Sequence, residues 1–286
     1  MSLTINSNIA ALTARRHLNS ASDRLGKTFA RLSSGLRVNS AADDAAGLSI
    51  ATGMTAQIRG TNQAIRNAND AISLAQVAEG ALAETENALQ RMRELAVQAS
   101  SDTYTTSDRS DLWEEVTELL SEIDRISSDT EFNDQNLLAG TNGSFEVKFH
   151  IGHDAGKTID LAIKHAGTSA IGVIASNMGS AADITAMTTT SAQLRAGSVI
   201  TAVDTALDSV SDIRATLGAV QNRLESAIAS LSNLSENTEA ARGRIMDADI
   251  ASETSNLTRN AILQQAGTAV LAQANQQPQL ALLLLN

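Results

Sequence analysis

Three places in the 286-residue sequence hold side chains of the types that could do chemistry. The first is GHDAGKT, Gly152 to Thr158, which carries the glycines and lysine of a phosphate-binding loop. Only three residues separate Gly152 from Gly156, where a phosphate loop has four and then opens a helix whose N-terminus faces the anion. The residues after it alternate as a strand, so no nucleotide site is assigned. The second place is His150, His153 and Asp154, which offer nitrogen and oxygen donors to a metal such as zinc. His150 falls on the polar face of a strand and His153 in the following turn, so these read as exposed hairpin residues. The third comprises the pairs Asp43-Asp44 and Glu114-Glu115. Neighbours on a helix point about 100° apart, which suits neither pair to general acid/base work. With no cysteine there is no thiol nucleophile, thiolate ligand or disulfide. The reading is of a protein that is not an enzyme, with no catalytic residues, cofactor or metal.

The elements that would have to position a site point instead to a scaffold. Aromatic residues make up 2% of the chain, too few for a thick core and suited to thin helix-on-helix packing. The one proline is Pro278, so helices can run long. A heptad register spans the C-terminal third: Val203, Val210, Leu217, Leu224, Leu231, Thr238 and Ile245, with Ala206, Ile213, Val220, Ala227, Leu234, Ala241 and Ala248 three positions later. A seam of that length needs a long partner helix. Gly53 to Asp102 supplies one, with Ile58, Ile65 and Ile72 beside Ala68, Ala75, Leu82, Leu89 and Ala96. Leu112, Val116, Leu119, Ile123 and Ile126 mark a third amphipathic helix. The period then changes to two: Phe145, Val147, Phe149 and Ile151, a turn, then Ile159, Leu161 and Ile163 form a β-hairpin at about 144–164. Residues 176–196 lack periodicity and read as an exposed loop. The expected fold is mainly α, an elongated antiparallel bundle or coiled coil of long helices with a small β-hairpin, its discontinuous domains built from paired N- and C-terminal halves.

The ends read differently. Ile5, Ile9, Leu12, Leu18, Leu25, Phe29 and Leu32 form one apolar helical stripe, and Leu257, Leu263, Val270 and Leu271 another in an Ala/Gln/Asn-rich background. Neither would be stable alone in water. They are expected to pack on each other and then on copies of themselves, which makes them polymerisation stripes. Ser40 with Asp43 has capping-box spacing, placing the next helix start at Ala41.

Charge narrows the partners. The net charge of −11 argues against nucleic acid. It is uneven, with six Lys/Arg and one Asp in residues 1–40 but eleven Asp/Glu and two Arg in residues 102–134, so basic ends could meet acidic flanks of neighbouring subunits. No apolar run reaches about 18 residues, so membrane insertion is not expected. The N-terminal segment does not read as a cleavable secretory signal.

The ends also carry a family resemblance. MSLTINSNIAALTARRHLNSASDRLGKTFARLSSGLRVNSAADDAAGLSIA, Met1 to Ala51, closely resembles the N-terminal region of bacterial flagellins. NLSENTEAARGRIMDADIASETSNLTRNAILQQAGTAVLAQANQ, Asn233 to Gln276, resembles their C-terminal region. The likeness continues through Ala88 to Ser100 and Ser121 to Asn133. It implies a subunit of the extracellular flagellar filament used for swimming motility. Residues 1–44 and 246–286 would form a channel-lining, polymerising domain and 45–245 a helical rod domain. The resemblance also implies export by the flagellar type III pathway, a chaperone on the C-terminal helix, and cap and hook-junction proteins as partners beside the homopolymer. Only about 55 residues, Gly140 to Arg195, separate the flagellin-like parts, which implies a short form without large outer domains. Arg91, Leu95 and Glu115 match positions that the flagellin-sensing Toll-like receptor grips in some flagellins. The Leu282 to Leu285 run resembles the terminal leucines sensed by intracellular receptors. A hook-filament junction protein, which shares flagellin-like ends, is the alternative.

Overall fold

The computed structural model describes residues 7–139, 143–173 and 189–283. Five helices and two antiparallel hairpins lie in these segments: α1 (Ile9–Ser34), α2 (Ala45–Ala99), α3 (Thr106–Asp129), β1 (Glu131–Phe132), β2 (Gln135–Asn136), β3 (Ser144–His150), β4 (Thr158–Lys164), α4 (Thr189–Met246) and α5 (Ile250–Leu283). The chain forms two compact units, a terminal one of Met1–Ile58 with Ser235–Asn286 and a central one of Arg59–Leu234. The division falls inside α2 and α4 and not at their ends.

In the central unit α2 and α4 run antiparallel, as their polar ties show. Arg93 Nε reaches Asp204 Oδ1 at 2.6 Å, Arg214 pairs with Glu86, and Gln221 donates to Glu79 at 3.1 Å. The α4 seam is buried at Val203, Ala206, Val210, Ile213, Leu217, Val220 and Leu224, while Ala227 and Leu231 are half-buried. On α2 the expected row of Ala68, Ala75, Leu82, Leu89 and Ala96 is buried. Its companion is not the Ile58, Ile65, Ile72 row, of which Ile65 and Ile72 are half-exposed, but Ala64, Ala71, Ala78, Thr85, Met92 and Ala99. Small side chains there leave room for neighbouring elements to pack closely.

Helix α3 begins with a full capping box, Thr105 accepting from Asp108 N and the Asp108 carboxylate accepting from Thr105 N. Its buried face is Arg109, Trp113, Val116, Leu120, Ile123 and Ser127, with Leu112, Leu119 and Ile126 at the margin. The face is thus rotated from the expected stripe toward the single Trp, whose large apolar area favours burial. Arg109 is 1% exposed. Its guanidinium donates to the carbonyls of Ala99 and Ser101 at 2.9 and 2.8 Å, satisfying acceptors left over where α2 ends.

The β3–β4 hairpin has the expected register, Phe149 opposite Ile159 and Val147 opposite Leu161. Leu161 and Ile163 enter the core. Its turn lies on α2 at Gly60, where a Cβ would come within 3.0 Å of His153 Cβ. Asn67 Nδ2 also donates to His150 O at 2.9 Å. The short β1–β2 hairpin was not expected, although Asn133 and Asp134 at its turn take positive φ angles of 52° and 61°, the conformation such turns favour in these residues. Most of the loop expected at 176–196 lies outside the described residues, but from Thr189 the chain is helical.

In the terminal unit α1 pairs antiparallel with α5: Asn8 Nδ2 donates to Ala274 O at 2.7 Å, and Arg31 meets Glu253 at 3.3 Å. Helix α1 stops at Gly35, whose φ of +71° is the left-handed cap that glycine adopts without steric cost. The next helix starts at Ala45, not Ala41. Asp43 does bind Ser40, but inside a turn, and Asp44 caps α2 by accepting from Gly47 N at 2.9 Å.

Candidate assembly surface

Asn8 opens α1 by accepting from Ala11 N at 3.0 Å, and Asp249 opens α5 by accepting from Ala251 N at 3.0 Å. Between these caps the two helices meet through a seam with a heptad spacing of its own. On α1 the buried residues are Ala14, Ala21 and Thr28. On α5 they are Glu253, Asn260 and Ala274, with Gly267 on the same row and Leu18 Cδ1 3.4 Å from where its Cβ would be. Small and polar residues thus occupy the line of contact.

The larger apolar residues lie beside the seam or away from it. Leu18, Leu25 and Leu32 flank it on α1, as do Leu257 and Leu271 on α5, all half-buried. Ile9, Leu12 and Phe29 are exposed, Leu12 by 69%. On α5 Leu263 and Val270 are exposed too. Ile5 lies outside the described residues, as does the Leu284–Leu285 end of the leucine run. Exposed large apolar residues outside the expected stripes are Ile262, 59% exposed, and Ile50 on α2 in the terminal unit, and Val77, Val97 and Leu194 in the central one. Ile262 stands nearly opposite the seam at about 100° per residue, where it belongs to no stripe that counts toward pairing.

The residues aligned with a receptor-binding segment are split by burial. Arg91 and Glu115 join across α2 and α3 at 2.8 Å, with Glu94 at 3.1 Å from the same guanidinium. Hydrogen bonds from Arg91 to Glu115 and then Glu94 hold the Arg91 pKa above its ordinary value. Leu95, expected on the same surface, instead fills the core at 1% exposure. It projects to the α2 face that carries Met92 and Ala96.

The motifs considered for chemistry are structural here. GHDAGKT closes the β3–β4 turn, with Ile151 N donating to Lys157 O at 2.8 Å, and leads into β4. His153 pairs with Asp154 at 3.2 Å on the surface. Among the described residues no group of three or more His, Cys, Asp or Glu is placed to hold a metal, and no helix is long and apolar enough to cross a membrane. Asp43 and Asp44 are spent on a turn and a cap.

These features define a helical structural protein whose paired ends hide small residues and present large apolar ones. Known proteins extend this. Residues 5–143 match the bacterial flagellin N-terminal helical region and residues 200–285 the bacterial flagellin C-terminal helical region. A flagellin of Halalkalibacterium halodurans is 47% identical, the match covering 99% of this chain and all of that one. A flagellin of Bacillus subtilis is 44% identical, again over 99% of this chain and all of the relative. The chain belongs to the bacterial flagellin family. It is a structural subunit that self-assembles into the extracellular flagellar filament of swimming bacteria, in a short form of the length found in H. halodurans. A solved structure of a flagellar hook-associated protein from Vibrio parahaemolyticus is also similar, with a TM-score of 0.62 over 72% of this chain and all of the other, at 14% identity. That likeness shows the fold alone, and full-length identity with flagellins disfavours the junction-protein alternative.

Proposed function

We propose that the filament is built through the exposed apolar residues of the terminal helices, Ile9, Leu12, Phe29, Leu263 and Val270, joined by Ile262. The observation that carries this is the inversion in the α1–α5 pair, small residues inside and large ones outside. Single exposed apolar residues are ordinary on a protein surface, but several on one helix pair mark an interaction surface. A heterologous contact that does not close on itself yields a helical polymer. Residues 1–44 with 246–286 then act as the polymerising, channel-lining domain, and 45–245 as the helical rod domain, with no catalytic role for either. Deleting residues 1–40 should leave protein that folds but does not sediment as filaments. Filament formation by the truncated chain would overturn this reading.

The same exposed face of α5 suits a chaperone that shields it before export through the type III pathway and assembly between hook-junction and cap proteins. A chaperone should protect Ile262 and Val270 from modification once cysteine replaces them, and unchanged labelling would argue against it. Arg91 and Glu115 form a charged surface fit for the flagellin-sensing Toll-like receptor, and Leu95 supports it from the core. Replacing Arg91 with Ala should lower receptor binding about tenfold, as loss of one charge-assisted contact does. Equal binding would remove the receptor from the account.

A further inference from the structure

Where the two terminal segments cross, backbone alone already ties them. Arg37 N donates to Met246 O at 2.6 Å and Ala248 N to Gly35 O at 2.9 Å, around a bridge between Leu36 and Asp247. One helical turn further on, the last turn of α1 brings Arg31 to Glu253 in the first turn of α5, with Nη1 and Oε1 3.3 Å apart. Glu253 is a buried acid, and Arg31 Nε is buried with no partner among the described residues. Each charge sits at the helix end whose dipole favours it. Beyond this point the line of contact carries only uncharged residues, with half-buried leucines beside it, until Asn8 meets Ala274, about 30 Å away along the pair at 1.5 Å per residue.

A seam of Ala, Thr, Asn and Gly at heptad spacing buries little apolar area per turn. The flanking leucines of α1 repeat at seven, Leu18, Leu25 and Leu32, so their packing discriminates weakly among registers shifted by a heptad. Starting a helix is costly in water. Pairing therefore has to begin where connectivity already brings the helices together, and an ion pair with one partner buried and the other partly buried favours one alignment.

We propose that the Arg31–Glu253 pair is the positioning contact within each chain from which α1 and α5 zip together during assembly. The inference rests on the assembly surface proposed above. Neither residue need touch a neighbouring copy. The pair aligns the two helices, and their outer faces then meet other subunits.

The test uses the full chain in four forms: unmodified, Arg31→Glu, Glu253→Arg and the double reversal, each followed by seeded filament growth. Thermal unfolding of the unassembled protein controls for folding. Each single reversal should slow growth about tenfold, since it sets two like charges together beside the buried position 253, and the double reversal should return it to within about threefold. An equal mixture of the two single reversals should stay slow, because a pair acting inside one chain cannot be completed by another. Three outcomes would each overturn the proposal: single reversals that grow normally, a double reversal as slow as the singles, or recovery on mixing, which would place the pair between copies. A parallel Leu12→Ser chain keeps the two claims separate. If it grows normally, the assembly surface itself is wrong; if it fails to grow while the double reversal also stays slow, only the ion-pair inference falls.

Discussion

The central and terminal units are both built from long antiparallel helices, yet they place their large side chains oppositely. In the central unit Leu82, Leu89, Met92, Leu95, Trp113 and Leu217 are almost wholly enclosed. In the terminal unit Ala14, Ala21, Thr28 and Asn260 take the inside, and Leu12, Phe29 and Ile262 the outside. Burying a leucine-sized side chain is worth about 1.5–3 kcal/mol, and an alanine much less. The central unit thus holds much of its stabilisation in its own core, while the terminal helices leave Ile9, Leu12, Phe29, Ile262, Leu263 and Val270 exposed, the residues proposed to meet other copies. On the proposed function, the helices of one unit serve folding and those of the other assembly.

The largest test of this contrast sets one leucine against another. Leu89→Ala, wholly inside the central core, should cost about 2–5 kcal/mol of unfolding free energy by urea titration. Leu12→Ala should change that value by less than about 0.5 kcal/mol while preventing sedimentation of filaments. If Leu12→Ala destabilised the unassembled chain as much as Leu89→Ala, the two units would not differ as described.

A smaller effect is expected at Arg109. Replacing it with Ala strips the carbonyls of Ala99 and Ser101 of their donors and should cost about 1–3 kcal/mol. The lowered urea midpoint should appear without loss of seeded growth at saturating, folded protein. Defective growth at full folding would show that the central unit also steers assembly.

The smallest effect is one that the units share. Asp43 in the terminal unit is held below its ordinary pKa by Ser40, first through the side-chain hydrogen bond. Asp108 in the central unit is held down by Thr105, first through its backbone N–H. A carboxylate whose folded pKa lies below its unfolded one adds stability above the unfolded value, 3.8 here, and loses it as pH falls through the folded value. Asp108→Asn should flatten the acid limb of the unfolding curve of the central unit, and Asp43→Asn that of the terminal unit. An unchanged slope in both would mean that these turns hold no proton-linked stability.

Much of the architecture was legible because large apolar residues at heptad or alternating spacing report directly on burial. The α4 seam through Leu224, the α2 row through Ala96 and the β3–β4 register all follow from that signal. What was not legible shares a cause. Rows of small residues, such as Ala64 to Ala99 on α2 and Ala14 to Thr28 on α1, carry almost no hydropathy contrast, although they mark the closest packing. Where such a row takes the inside, the conspicuous leucines turn out to flank it. Leu95 shows the converse, a residue expected on a surface that lies in the buried central core. Ile262 lies next to Leu263 but off the Leu257, Leu263, Val270 and Leu271 spacing, so the helical period does not mark it. The start of α2 was misplaced because Ser40 and Asp43 satisfy one another in a turn before the helix begins.

The absence of cysteine from the sequence permits a direct measurement of the central claim. A single Leu12→Cys chain, co-assembled with an excess of unmodified protein, can be labelled with a thiol reagent before and after filament growth, with Ala21→Cys as the seam control. The account predicts fast labelling at position 12 in the unassembled chain and protection of about a hundredfold in the filament, as expected when a group passes from solvent to a closed interface. Labelling of position 12 at the same rate in both states would contradict it.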